Sequence, residues 1–488
     1  MVLSFVLNTS QAFELRRQFP KQVFQEIDAA YESLRDSYWS GNQKTVKPRC
    51  FFQPNSADEL ARAVAICAKA KCAFGVKSGG HGHFAGQSCV EAGVQFDLAK
   101  LDTISIQRST GTVLVGTGCR WGAVYEKLQP EQLMAIGGRA ASVGVGGFLL
   151  GGGLSFYAAR RGWAINHVRS FEVVLANGTV VTASRSSEPD LFRALRGGGS
   201  NFGIVTTFEL ELYPYTGMWG GRTLIEGIHD RQAIDAYATF VGNLKSQPMG
   251  HTIIIFNYDE GPLHMHQYIV HTEPVGDLPA FDCLRQVPAM ESTLEMTNYS
   301  DLAGNIADLQ EWADSRVGCA TLTFKLDKAL CHFAYDVFIE EIAPVSGYIK
   351  GTMELHALPR NLSPADNVFG LEPTEEQLVS FLLLFTYTSE IHDEEVIITQ
   401  QRIIDRVRKE AEKRGLFHPF LFPNYSAQWQ DVIGSFGEAN VKFLQNVSKK
   451  SDPEQIFQHS QTGSFKVSEH GWKPTAFGRK LQHQAMEM

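Results

Sequence analysis

Between Gly137 and Gly153 eight of seventeen residues are glycine, against 44 in the whole chain of 488. A helix or strand interior loses about 0.5–1 kcal/mol for each glycine in place of alanine, so this segment is read as backbone laid out for turns and close approaches. Two more glycine-rich turns accompany it, Ser78-Gly79-Gly80-His81-Gly82-His83 and Gly197-Gly198-Gly199-Ser200-Asn201-Phe202-Gly203. Bare N–H groups in such loops come close to anions, which makes a dinucleotide the natural ligand. The plainer reading of any single loop is tight turning and packing. No GxGxxG lies between a strand and a helix, and GxxxxGK followed by Ser or Thr is absent, so neither the Rossmann nor the Walker arrangement is supported.

The surrounding patterns mix strands and helices in α+β style. Ser56 and Glu59 form a capping box before a helix carrying Leu60, Val64 and Cys67 at helical spacing. Short strands are expected at AFGVK, around Val94–Leu98 and at TVLVGTG, with a helix over Trp121–Leu128. FEVVLANGTVVTAS reads as an antiparallel hairpin turning at Asn177-Gly178. Beyond Tyr213-Pro214 the glycine density drops, and strand patterns such as HTIIIFNY, LHMHQYIV, TLTFKL, TMELHAL and SFLLLFTYT alternate with helices. A helix from about Glu394 to Arg414, stopped by Gly415, closes this middle region. The last seventy or so residues are too few for a sizeable core and are expected to dock back onto the first part. The expected domains are 1–214 and 416–488 together, with 215–415 inserted between them.

Lys and Arg number 44 and Asp and Glu 53, a net charge of −9 that leaves no global positive field for nucleic acid or anionic lipid. No stretch reaches the roughly 20 apolar residues that cross a bilayer. The N-terminal residues lack a basic start, a long apolar centre and a small-residue cleavage pattern, so a cytoplasmic protein is expected. Six Asn-x-Ser/Thr sequons, at Asn8, Asn177, Asn298, Asn361, Asn424 and Asn446, would matter only in a secreted chain. The eight cysteines are scattered without a CxxC or zinc spacing; no metal site is expected, and one disulfide in the N-terminal third stays open.

Five strings in order, VKSGGHGHFAGQS, SVGVGGFLLGGGLS, DLFRALRGGGSNFGIVTTFEL, PNY and GEANVKFLQNVSKKSDPEQIF, resemble the FAD-binding oxidoreductases of the berberine bridge enzyme-like group, in the vanillyl-alcohol oxidase superfamily. The resemblance covers the first 215 and last 70 residues and is weak between them. It implies a two-part FAD-binding domain with an inserted substrate domain of antiparallel sheet and helices. It also implies a cofactor bonded covalently to the histidine that follows paired glycines, here Lys77-Ser78-Gly79-Gly80-His81. His81 is the expected tether, and the turn Ser78, Gly79, Gly80 and Gly82 the expected cofactor cradle. The rival imidazole His83 is expected in a pocket or surface role.

Many relatives attach the flavin a second time, through the cysteine of Cys-Pro-Thr-Val-Gly-x-Gly-Gly. Here Ala140-Ala141-Ser142-Val143-Gly144-Val145-Gly146-Gly147 stands instead, so a thioether is impossible and attachment is through His81 alone. By the resemblance Ser142, Val143, Gly144, Gly146 and Gly147, and later Gly203 and Val205, lie against the cofactor. Val143 matches the valine that leaves room for dioxygen, which favours an oxidase. Arg139 and Arg196 could pair with phosphate, although an ion pair is the commoner fate of an arginine.

Hydride transfer needs a base with a suitably shifted pKa. Relatives use a tyrosine, glutamate or aspartate from a Tyr-x-Asn-Tyr stretch or from the strands of the substrate domain; Phe422-Pro423-Asn424-Tyr425 retains only Tyr425 of the former, which becomes the leading candidate. Tyr387 is the second, on the face of SFLLLFTYT that also carries Phe381, Leu383 and Phe385, where core or pocket wall is the commoner fate. Glu354 and His356 share a face of TMELHAL, although such pairs are more often at the surface or structural. The expectation is an FAD-dependent oxidase passing electrons from a small, hydrophobic secondary metabolite to dioxygen. A redox-neutral isomerase or cyclase on the same scaffold stays open.

Overall fold

Strict alternation of side chains in the middle third builds the largest element, a nine-stranded antiparallel sheet. In the computed structural model, which describes residues 12–259, 263–276, 278–308, 315–360, 367–372, 376–463 and 465–468, its strands run in the order Glu291–Ser292, Met218–Glu226, His264–His271, Gly250–Tyr258, Lys350–Ala357, Leu378–Tyr387, Arg316–Lys325, Phe417–His418, with Glu295–Thr297 also on Met218–Glu226. The sequons at Asn8 and Asn361, and the first eleven residues, lie outside the described residues.

Each central strand has two faces with different fates. Ile254, Phe256, Met353, Leu355, Phe381, Leu383 and Phe385 point to the helices Asp230–Gly242, Lys328–Ile342 and Asp393–Lys413, sharing a core with Tyr237, Phe240, Phe338 and Val407. The intervening residues Ile253, Ile255, Glu354, His356, Leu382 and Leu384 point the other way, toward the glycine-rich turns. The long helix buries Val396, Ile403, Ile404, Val407 and Ala411, and Gly415 follows it at φ +70°.

The glycine-rich part carries two smaller sheets. One holds Cys50–Phe52, Val94–Asp97 and Phe74–Lys77 in parallel, with Val23–Phe24 antiparallel at its edge. The other is antiparallel, ordered Ile104–Gln107, Thr112–Gly116, Ile204–Glu211, Val168–Val174, Val180–Ser184, and contains the expected hairpin with Val174 opposite Val180. The helix Ala57–Ala70 begins as expected, Ser56 Oγ accepting from the Glu59 N–H, but the Glu59 carboxylate accepts from the N–H of Asn55, one residue before the cap.

Residues of the segment after the large sheet return to this part. Arg193 donates to Asn440 on the helix Glu438–Ser451 at 2.8 Å, and the Phe74 N–H donates to the carbonyl of Ser460 at 2.9 Å. All eight cysteines are free, so the disulfide left open by the sequence is not formed. Among the described residues no helix is long and apolar enough to cross a membrane, and no His/Cys/Asp/Glu group could hold a metal ion.

Candidate active site

A cavity of about 370 Å³ lies between the glycine-rich turns and the inner face of the large sheet. At the turn end, two loops touch backbone to backbone. A Cβ on Gly79 would sit 2.4 Å from Gly144 Cα, and one on Gly144 2.5 Å from Gly79 Cα, so neither position admits a side chain. Ser78 ties the same loops together, its hydroxyl donating to the Thr117 carbonyl at 2.6 Å and accepting from the Gly146 N–H at 3.2 Å. Gly80, at φ +68°, turns the chain into His81.

The His81 ring stacks on Trp39 with centroids 4.2 Å apart, and its Nε2 lies 3.3 Å from Ser142 Oγ. Burial, with Arg120 nearby as the next cause, pushes its pKa down to about 3, so the imidazole is neutral with a free lone pair at neutral pH. Arg120 also donates to the Ser142 carbonyl.

At the sheet end, five polar side chains meet. Arg139 Nη2 donates to the Tyr425 hydroxyl at 2.6 Å, and Nη1 lies 3.4 Å from His251 Nε2 and 3.3 Å from His356 Nδ1. His356 Nε2 is 2.8 Å from Glu354 Oε2. Burial drives both histidines below their usual range, Arg139 adding to the effect. Burial also raises Tyr425 to about 12, against the opposing pull of Arg139. The rest of this end is apolar, with Ile253, Ile255, Ile306, Leu382 and Leu384 on its wall.

The residues singled out from the sequence divide accordingly. Ser78, Gly79, Gly80, His81 and Gly82 line the cavity, as do Val143, Gly144, Gly146, Gly147, Val205 and Tyr425. Ser142 stands behind His81, and Gly203 faces Val173 and Val174, where a Cβ would meet the Val173 side chain at 2.5 Å. Tyr387 is off the cavity: it lies on the helix-facing side of its strand, donates to Asp393 at 2.8 Å and accepts from Asn42 Nδ2 at 3.2 Å. The cavity is lined by the other face of that strand, through Leu382 and Leu384.

Arg196 does not approach the cavity either; it is buried and donates to the carbonyls of Ile165 and Asn166. Arg139, for which phosphate was one option and a structural pairing the commoner fate, belongs to the sheet end. Glu354 and His356 are buried in the cavity wall rather than at the surface. Asn424 is held against the Phe148 carbonyl at 3.0 Å inside the same wall, which leaves that sequon no room for a glycan. Sequence reasoning missed His251 and Trp39, and also Tyr268, which lines the cavity. For His251 the available signal was its period-two phase with Ile253 and Ile255.

The FAD binding domain family matches residues 48–184. FAD-dependent monooxygenase tpcD of Cochliobolus heterostrophus is 32% identical over 465 residues, 89% of this chain and 88% of that one. FAD-dependent monooxygenase drtC of Aspergillus calidoustus is 33% identical over 464 residues, covering 92% and 88%. Among solved structures, 6-hydroxy-D-nicotine oxidase from Arthrobacter nicotinovorans superposes with a TM-score of 0.75 at 19% identity, over 90% of this chain and 96% of that one. Berberine bridge enzyme from Eschscholzia californica superposes at 0.74 and 16% identity, over 92% and 98%. With relatives of that similarity along nearly its whole length, the chain belongs to one family with these FAD-dependent enzymes and is an FAD-linked oxidoreductase, and its fold is that of berberine bridge enzyme.

Proposed function

We propose that this oxidoreductase is an oxidase holding FAD through one covalent bond to His81, in a site built from residues 1–214 and 416–488. Its substrate is a small, largely apolar secondary metabolite lying against the large antiparallel sheet, and its electrons pass to dioxygen. One observation carries the reading: a single cavity joins His81 and the glycine loops to the Arg139–Tyr425 and Glu354–His356 pairs.

The residues present fit the cofactor. Gly147 borders the cavity, yet a Cβ there would meet no protein atom within 4 Å, so the bare backbone faces space that a ligand can occupy. The neutral His81 imidazole keeps the lone pair that a carbon–nitrogen bond requires. FAD bound at these loops supplies a two-electron acceptor for hydride.

The chain's own groups handle the proton. With its phenol pushed up to about 12, Tyr425 is a donor at neutral pH rather than the base expected from the sequence. Its oxygen accepts from Arg139, which leaves its own O–H for a substrate oxygen. Arg139 then stabilises negative charge developing there. Glu354, whose Oε2 lies 2.8 Å from His356 Nε2, is the residue positioned to accept the substrate proton. The apolar wall keeps water away from the exchange.

Acid precipitation tests the tether: the wild-type pellet is expected to be yellow and the His81→Ala pellet colourless, and a white wild-type pellet would remove it. Anaerobic substrate is expected to bleach the flavin, with peroxide forming when air is admitted. A product of unchanged mass without oxygen uptake would favour the isomerase or cyclase instead. The names of the relatives favour one further reading, oxygen transfer to the substrate; label from 18O2 retained in the product would establish it.

A further inference from the structure

Both ring nitrogens of His83 are buried without a hydrogen-bond partner among the described residues, and the residue is only 4% exposed. Its main chain, by contrast, is held on both sides. The N–H donates to Gln87 Oε1 at 2.6 Å, and the carbonyl accepts from Ser40 Oγ at 3.3 Å. One residue earlier, the Gly82 carbonyl accepts from Gln43 Nε2 at 2.7 Å. These bonds hold the main chain of His83 in place, and the residue is one of those that line the same cavity as the glycine turns. A buried donor and acceptor with no partner weaken the empty protein, and a ligand that pairs with them recovers that loss on binding.

We propose that His83 is a cofactor-binding residue whose imidazole hydrogen-bonds FAD held between the glycine loops. The chemistry of the ring narrows the kind of contact. Burial lowers its pKa to about 4, so at neutral pH it offers one N–H and one lone pair and no charge. That suits a hydroxyl or a ring carbonyl better than a phosphate, which calls for cationic donors. His83 is thus a reader of the uncharged part of the ligand, two residues from His81. The inference rests on FAD as the cofactor and not on the tether at His81.

The test uses the full chain carrying His81→Ala, which removes any bond at that position so that FAD can be stripped and titrated back by fluorescence. Adding His83→Leu is expected to weaken FAD binding about tenfold, the worth of one hydrogen bond. The same change is expected to raise the melting temperature of the stripped protein, because leucine leaves no unpaired polar group. His83→Asn, which keeps a donor and an acceptor, is expected to regain most of the affinity. Unchanged FAD affinity would overturn the proposal, and so would a loss of affinity accompanied by a lower melting temperature of the stripped protein, the mark of a packing role. FAD binding by the His81→Ala variant itself reports separately on the cofactor. Should that variant fail to fold, the midpoint potential and visible spectrum of the flavin are compared between wild type and His83→Leu: a shift supports the contact and identical values refute it.

Discussion

Trp39 lies flat against His81, the two rings 4.2 Å apart and inclined by 15°. The Trp39 N–H also donates to the Gly80 carbonyl at 3.0 Å, and the indole packs beside Val317, Cys319, Leu382 and Leu384 of the large sheet. One residue from the N-terminal segment thus touches the turn, the imidazole and the seam with the large sheet.

Replacing Trp39 with alanine is expected to lower the share of flavin that survives denaturation. Ring stacking is worth about 0.5–1.5 kcal/mol, so His81 should hold its attack orientation roughly two- to tenfold less often. Trp39→Phe should keep most of the attachment. In-gel flavin fluorescence during a time course of FAD addition measures this, and equal rates in all three proteins would contradict it.

The two glycine contacts separate cofactor binding from folding. In Gly147→Ala the new methyl meets no protein atom, so the protein without FAD should be as stable as wild type, or more stable by up to about 1 kcal/mol from better helix propensity. FAD uptake should nevertheless fall, because the methyl enters the cavity. In Gly144→Ala the methyl would have to push Gly79 away, and destabilisation of about 1–3 kcal/mol is expected with or without cofactor. Melting temperature and flavin content of the two variants give the comparison.

These contrasts also show what the chain discloses before it folds. The hairpin at Asn177-Gly178 and the helix capped by Ser56 are local, and both form where turn chemistry and spacing place them. Alternation in Leu378–Tyr387 reveals two faces but not which one the helices cover, and Tyr387 therefore stayed a candidate until the sheet showed Leu382 and Leu384 on the cavity side. The polar cluster at the sheet end depends on a pairing about a hundred residues apart, Ile253 opposite His356 and Ile255 opposite Glu354. No local pattern encodes that register, so Arg139 could be seen only as a loop arginine, and the period-two phase of His251 with Ile253 and Ile255 did not say what that face would meet.

Acid sensitivity of the protein without FAD should carry the signature of His83. Its folded pKa of about 4 lies below the unfolded value of about 6.5. Above pH 6.5 both states are neutral; as the pH falls, the unfolded chain takes a proton that the folded one refuses. Stability therefore drops by about 1.4 kcal/mol per pH unit from this group until the folded ring protonates near pH 4. In His83→Leu the slope of unfolding free energy between pH 6 and 5, from urea denaturation, should be shallower by one proton; an unchanged slope would show that the ring is not neutral when buried.

Arg139 and Tyr425 are expected to act as one unit. Tyr425→Phe removes the hydroxyl offered to the substrate, and Arg139→Met removes the charge behind it; each should lower kcat/KM by about 100-fold or more, the usual scale for a positioned proton-handling group. Because the tyrosine oxygen accepts directly from the guanidinium at 2.6 Å, the second loss should add little to the first, and the double variant should fall close to either single one. Tyr387→Phe supplies the contrast. That hydroxyl bonds Asp393 and Asn42 away from the cavity, so turnover should stay near wild type while stability falls by about 1 kcal/mol. Steady-state kinetics on the four variants and urea denaturation of the Tyr387 protein decide the matter: independent, multiplicative losses at Arg139 and Tyr425, or a collapse of turnover in Tyr387→Phe, would move the proton chemistry elsewhere on the sheet.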